Sequence, residues 1–598
     1  MKTIRIGGAC AFFGDSSVAP TQLIAAGVDY LILDYLAEAT MSSLGAMRRH
    51  RANLGYATDF TEWVWKDNLA ELKRTGTKIV TNAGGVNPRA CLERMEKIAA
   101  DAGVSLRIAI VEGDEVMDRL DELSAQGELI TGAPFPDKDK VVTANAYLGA
   151  GPIARALAMG ADVVITGRCV DSALTLGILV HEFGWSETDY DKLSQGSLAG
   201  HVIECGAQAT GGLFTDWREV PDWANIGYPI IECTADGAFT VTKPEGSGGL
   251  VPPAVVAEQI LYEVGDPQGY MLPDVVCDFT EVKLEQTGPD RVRVTGSKGY
   301  PPTGQYKVCV TWADGFRAMG FMAVVGREAA QKAQRQAEAV LERVNAMLRA
   351  RNIGPFRTSR IEVIGSEATY GANARAHDVC EVVYKLGVEH DDQAAFAPFL
   401  REFDSPTTSM SVGTAGWFGA RAEVKPVMRV FSVTVPAASV PVTVTFEGKS
   451  ETASYLASGA RFDPAAVVRP PEGESADAST ATREVPLIEL AWARSGDKGD
   501  AFNVGVIARR PEYLPWIRAA LNEGAVKTWF AHEFEGAQKP AVLRYEVPGL
   551  NALNFHVLDS LGGGQFASLR LDPLAKGKAQ QLLDIPVKIP EGLVARHD

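Results

Sequence analysis

Three side chains within one helical turn set the first chemical expectation. In Gly200-His201-Val202-Ile203-Glu204-Cys205-Gly206 the spacing puts His201, Glu204 and Cys205 on one face of a helix. A histidine there can move a proton, a glutamate can orient it, and a thiol can attack as a nucleophile. The plain alternative is a helix end whose polar groups cap the backbone. The flanking glycines favour an active-site turn. His-x-x-Glu-Cys has no second ligand cluster at standard metal-site spacing, so zinc is not expected there.

A second set of residues has the composition of ligand-binding loops. Gly8, Asp15 and Ser16 follow a first apolar strand; Asn82, Gly84 and Gly85 follow a third; Arg168, Asp171 and Ser172 follow a fifth. Lys243, Gly248 and Gly249 form a lysine-bearing glycine loop that enters a helix, which is a natural anion cradle. Far down the chain, Arg494-Ser495-Gly496-Asp497-Lys498-Gly499-Asp500 and Asn503 combine cations with glycines between two apolar strands. Glycine lets a backbone approach an anion, and lysine supplies a point charge. The competing expectation is a polar hairpin. Arg570, alternating with apolar residues, completes the set of expected ligand residues.

The supports of these loops are strands at 3–7, 28–34, 78–82, 106–111 and 162–166, which alternate with helical stretches. That alternation predicts an α/β fold with a mostly parallel open sheet, and such sheets bind ligands beyond the carboxyl ends of their strands. Neither GxGxxG nor a Walker A motif follows the first strand, so neither NAD nor ATP is expected. Residues 1–270 are expected to form this N-terminal α/β domain. A further mixed α/β region spans 271–468, with antiparallel strands over 275–325, a surface helix over 328–349 and a helix over 374–386. The Pro/Ser/Ala-rich run 469–484 reads as a linker, and 485–598 as a small α+β domain.

Bulk properties narrow the function classes. The 598-residue chain carries a formal net charge of −17 and no long basic run, which speaks against nucleic acid and anionic membranes as partners. The 8 cysteines form no Cys-x-x-Cys pair and look like scattered cytoplasmic thiols. The N-terminus reads as a strand rather than a signal peptide, and no run of about 20 apolar residues appears. A cytoplasmic homo-oligomer is expected.

Taken together, the motifs resemble the acyclic terpene utilisation family, AtuA. The matching pieces are Gly7-Gly8-Ala9-Cys10-Ala11-Phe12 with Gly14-Asp15-Ser16, Asp34-Tyr35-Leu36-Ala37-Glu38, Asn82-Ala83-Gly84-Gly85-Val86-Asn87-Pro88, Gly167-Arg168-Cys169-Val170-Asp171-Ser172-Ala173, the His201 stretch, and Pro273-Asp274-Val275. The tail, from Ser495 to the Gly562-Gly563-Gly564 turn, looks like the ferredoxin-fold domain that accompanies AtuA. The resemblance implies a place beside biotin carboxylases and enoyl-CoA hydratases that degrade branched acyl-CoA thioesters. It also implies cleavage or hydration of a 3-hydroxy-3-substituted glutaryl-CoA.

Three functions follow as expectations. The first is a lyase or hydratase acting on a coenzyme A thioester, with His201 or Glu204 as base and Lys498 and Arg494 on CoA phosphates. The second is a non-catalytic partner of an acyl-CoA carboxylase or hydratase. The third is a divalent-metal-dependent hydrolase using Asp15, Asp34, Glu112 and Asp171.

Overall fold

The computed structural model describes residues 2–453 and 459–594; residues 595–598 of the expected tail domain lie outside them. Five parallel strands form the centre of an eleven-stranded sheet, in the spatial order Thr3–Gly8, Tyr30–Leu33, Lys78–Thr81, Val163–Thr166, Ile108–Glu112. Tyr30–Leu33 and Val163–Thr166 are buried at every position. This explains their unbroken apolar character, since helices cover both faces of a parallel sheet.

The expected boundary at 270 does not divide this sheet. Strands Arg291–Thr295 and Lys283–Gly288 extend one edge through Phe239–Thr242 and Ile230–Thr234, all antiparallel. Val442–Phe446 and Lys449–Ala453 extend the other edge beside Ile108–Glu112. Conversely, Val141–Ala146, from the first region, pairs with the 21-residue strand Gln305–Val325 of a second sheet. The two regions are therefore interleaved through sheets shared across residues 2–453.

In the second sheet, Gln305–Val325 also pairs with Glu381–His390, Thr414–Trp417 and Val424–Pro436. Helix Ala329–Ala350 covers it with Ala329, Ala333, Ala337, Val340, Val344 and Leu348, a three-and-four spacing. The helix expected over 374–386 is not formed. Val382, Tyr384, Leu386 and Val388 are buried at strand period in Glu381–His390, and the β-branched and aromatic residues there favour the pleated surface.

The tail is a four-stranded antiparallel sheet in the order Ala491–Lys498, Ala501–Ala508, Ala552–Leu558, Ala541–Val547. Phe502 and Phe530 meet edge-on in its core at 5.3 Å. The stretch Arg494–Lys498 is thus the end of a strand, and Gly499-Asp500 is a two-residue hairpin turn.

The tail packs against its own body. Gly505 permits this: a Cβ there would lie 2.6 Å from Cβ of Leu261 on helix Pro253–Leu261. Arg494 crosses the seam to Glu258 at 2.9 Å, with both side chains almost wholly buried, and also donates to Gln208, Gln259 and the Gly212 carbonyl. Asn503 and Asn554 donate to the carbonyls of Leu261 and Val264. Replacing one partner of a buried ion pair leaves the other uncompensated, at about 3–5 kcal/mol. Arg494→Met should therefore lower unfolding free energy by roughly that amount in urea titrations, and Arg494→Met/Glu258→Met should recover much of it. A loss below about 1 kcal/mol would show that the pair does not hold the seam.

Candidate functional site

Two glycines bring the histidine-bearing helix to the strand ends. A Cβ on Gly8 would sit 2.1 Å from the Ile203 carbonyl, and one on Gly200 would sit 2.8 Å from Cα of Ser172. Helix Tyr190–Ile203 therefore ends in the gap between the first strand and the 167–172 loop. Its last turn delivers His201, Glu204 and Cys205 beyond the carboxyl edge of the parallel sheet, where such sheets place ligands.

The neighbouring strand ends supply the rest. Asp34 accepts from Asn82 Nδ2 at 2.6 Å and from the Leu36 amide at 3.1 Å. Arg168 is buried, stacks on Tyr147 at 4.0 Å, and donates to Asp171 at 2.8 Å and to the Leu36 carbonyl. Its own amide is held by Asp114, which also accepts from Asn145. Glu38 gathers Tyr147 at 2.7 Å, Lys307 at 3.3 Å and, from the tail, Gln565 at 3.1 Å.

The tail closes one wall of this crevice. Lys498 reaches Glu263 at 3.5 Å, and Lys576 bonds Tyr262 and Glu263. Lys498 is 44% exposed and Asp171 27%, whereas the side chains of Glu204 and His201 are largely buried. One oxygen from each of Asp34, Asp171 and Glu204 lies within 4.8 Å of the other two, which is close enough to take up protons or a cation between them. Among the described residues no other such group of acids, thiols or imidazoles occurs.

The electrostatics follow from this crowding. Burial, and then Asp171, push the carboxyls of Asp34 and Glu204 well up, against the pull of Arg168 and Lys498. Burial and the Lys498 charge bring His201 down to about 4. Burial alone would lower Lys498, but Glu263, Tyr270 and Glu38 outweigh it and hold the ammonium charged. Burial, with Glu204 and Glu263 alongside, raises Cys205 well above an ordinary thiol. The environment therefore opposes the thiolate that the expected nucleophile requires.

Several expected ligand residues stand elsewhere. Gly84 and Gly85 are packing contacts: a Cβ would lie 2.5 Å from the Thr166 carbonyl and 2.7 Å from the Gly55 carbonyl, respectively. Gly248 and Gly249 likewise abut the carbonyls of Asp222 and Thr210 at 2.1 and 2.4 Å. Lys243 donates to the Ser247 carbonyl and pairs with Asp290, on a groove of about 890 Å³ beside Arg5 and Arg291. Asp15 accepts from the Ala11 and Ser16 amides and, with Ser16, lines a cavity of about 250 Å³ beside Trp63. Ser172 supports Gly200 from the 167–172 loop.

Arg494, Ser495, Asn503 and Arg570 all make internal bonds. Ser495 donates to the Ala575 carbonyl, and Arg570 pairs with Glu533. Arg494 is thus not placed for CoA phosphates, which corrects that expectation. The four-carboxylate metal set is not assembled either, because Glu112 pairs with Arg89 and Asp15 stays in its own turn. Of the ligand residues inferred from the loops, Asn82, Arg168, Asp171 and Lys498 converge with His201, Glu204 and Cys205. Glu263, Tyr270, Lys307 and Lys576 join them without any sequence motif to announce them. Glu38 is the second acid of Asp34-Tyr35-Leu36-Ala37-Glu38 and carries no spacing signal of its own.

Fold and site together define a two-part α/β protein whose tail domain completes a charged, strand-end crevice. The family model for acyclic terpene utilisation family protein AtuA matches residues 4–446, and that for the AtuA ferredoxin-like domain matches 485–588. The chain belongs to the acyclic terpene utilisation family, and that membership supports a catabolic role. No curated protein matches the chain, and no solved structure does. Among the described residues no helix is long and apolar enough to cross a membrane.

The tail's internal cations make a pH prediction. Burial raises the Glu533 carboxyl, but the His532 hydrogen bond and the charges of Lys578 and Arg570 outweigh it and bring it to about 2. A carboxyl depressed in the folded state stabilises fully above its unfolded value, and that stability is lost as pH falls through the folded one. The window is thus from about 4.5 down to about 2, and the contribution is on the order of 3 kcal/mol. Acid unfolding followed by circular dichroism should steepen in that window, and Glu533→Gln should flatten it. An unchanged slope in the variant would refute the assignment.

Proposed function

We propose that this protein is an enzyme of acyl-CoA catabolism that acts as a lyase or hydratase on a branched 3-hydroxyacyl thioester in the crevice between body and tail. One observation carries the reading. Lys498, supplied by the tail, stands charged and solvent-accessible among the body's carboxylates, 3.5 Å from Glu263. Reactions of this class develop negative charge on a thioester oxygen, and a fixed ammonium stabilises it. They also need one group to take a proton and another to give one. Asp171 and Glu204 lie together in the same cluster. A purely organising partner for a carboxylase or hydratase has no use for such a concentration of charge.

A homo-oligomer and a carboxylase partner remain compatible with the reading but play no part in it. In calorimetry against short and branched acyl-CoAs, at least one should bind and be turned over. Lys498→Met should cut that turnover by about 10²–10³-fold while leaving the melting temperature within a degree or two. If the folded protein gives no heat with any thioester of the series, the proposal is abandoned.

A further inference from the structure

The contact between His201 and Glu204 fixes where a proton sits. His201 Nε2 lies 3.2 Å from the carbonyl oxygen of Ile260. A carbonyl only accepts, so Nε2 carries hydrogen. Nδ1 lies 3.2 Å from Glu204 Oε1. Were Nδ1 bare and Glu204 a carboxylate, two lone pairs would face each other in a buried contact. One proton must stand between them, either on the imidazole or on the carboxyl.

The surroundings decide which. The imidazole is buried, clusters with Tyr270 at 5.9 Å and Phe279 stacked at 6.3 Å, and has Lys498 as a cationic neighbour. Desolvation and then Lys498 disfavour an imidazolium there, and Glu263 and Asp171, which favour it, offset only part of that. Glu204 faces the carboxyl groups of Asp34, Asp171 and Glu263 and the thiol of Cys205, against the cations Lys498 and Arg168. A further negative charge among these acids is unfavourable, and a proton on Glu204 removes it.

We infer that Glu204 is held as a neutral carboxylic acid donating to Nδ1 of His201, that it is the proton donor of the crevice, and that His201 is its positioning residue. This reverses the roles that the helix spacing suggests, in which histidine moves the proton and glutamate orients it. The directions of both groups agree, Glu204 being raised and His201 lowered to about 4.

The assignment deepens the proposed function and rests on it for the chemical step alone. In cleavage of a 3-hydroxyacyl thioester, the Asp171 carboxylate takes the hydroxyl proton. The carbon–carbon bond then breaks, a carbonyl forms on one fragment, and the electron pair becomes the enolate of the other, opposite Lys498. Glu204 gives its proton to the enolate carbon and becomes a carboxylate. The proton held by Asp171 returns to Glu204 within the cluster, where the acid oxygens lie within 4.8 Å. No outside acid, base or oxidant enters the balance.

The test uses the full-length protein and two spectroscopic readouts that need no substrate. In ¹⁵N-histidine spectra, with His201 identified by its loss in His201→Asn, the ring should be the neutral Nε2–H tautomer from pH 8 to pH 5. Infrared spectra at pH 7 should contain a carboxylic-acid carbonyl component that shifts in deuterium oxide and is absent in Glu204→Gln. In that variant the amide N–H still donates to Nδ1, so the tautomer should persist while thioester turnover falls by about 10²–10⁴-fold. An imidazolium at pH 7, an unchanged infrared spectrum in Glu204→Gln, or saturable Mn²⁺ uptake that Glu204→Gln abolishes would each overturn the inference. If the wild type turns over no thioester, the proposed function falls, and the spectra still decide the place of the proton.

Discussion

The crevice depends on a balance of charge between two parts of one chain. The body contributes the clustered Asp34, Asp171 and Glu204, with Glu38 and Glu263 flanking them; Arg168 and Lys307 answer only some of that charge. The tail contributes Lys498 and Lys576. Carboxylates brought together in a partly desolvated site must be neutralised by cations, by protons or by both. Docking the tail brings two ammonium groups to Glu263 and, through Gln565, a donor to Glu38. The seam with Arg494 and Glu258 at its centre is therefore also a condition for the site's electrostatics.

Part of this was legible in the residues. Apolar runs such as Tyr30–Leu33 and Val163–Thr166 identify central parallel strands, because only strands covered on both faces can be so uniformly apolar. The polar loops after them mark the functional edge, and Arg168, Asp171 and Asn82 do meet there. The limits are equally physical. Nothing local in Arg291–Thr295 or Val442–Phe446 says that these strands join opposite edges of a sheet begun hundreds of residues earlier, since that pairing is a long-range choice. Glu381–His390 illustrates a competing local pattern, in which a polar start suited to a helix hid a strand-period core.

Glycine is where composition misleads most. A loop rich in glycine suits an anion, but it equally suits a carbonyl that must come within van der Waals contact of the backbone. At Gly84, Gly85, Gly248 and Gly249 the neighbour is a carbonyl of the protein itself. At Gly8 the same kind of contact serves the site indirectly, by admitting the end of the helix that carries His201 and Glu204. Conversely, Glu263, Tyr270 and Lys576 belong to no recognisable motif, because each becomes relevant only when tail and body meet.

A site of this kind is expensive in stability, and that is an argument about what it is for. Burying several carboxylates, a neutral histidine and an unpartnered Arg168 Nε costs free energy that well-packed apolar residues would not. The same protein shows what charge looks like when it serves structure alone: Glu533 sits between Arg570 and Lys578, fully matched, with its carboxyl depressed. Around Glu204 the match is deliberately incomplete, and the carboxyls are raised instead. Within the crevice Glu38 and Glu263, despite burial, are drawn down by Lys307 and Lys498, so the raised carboxyls are Asp34 and Glu204, the two crowded against Asp171.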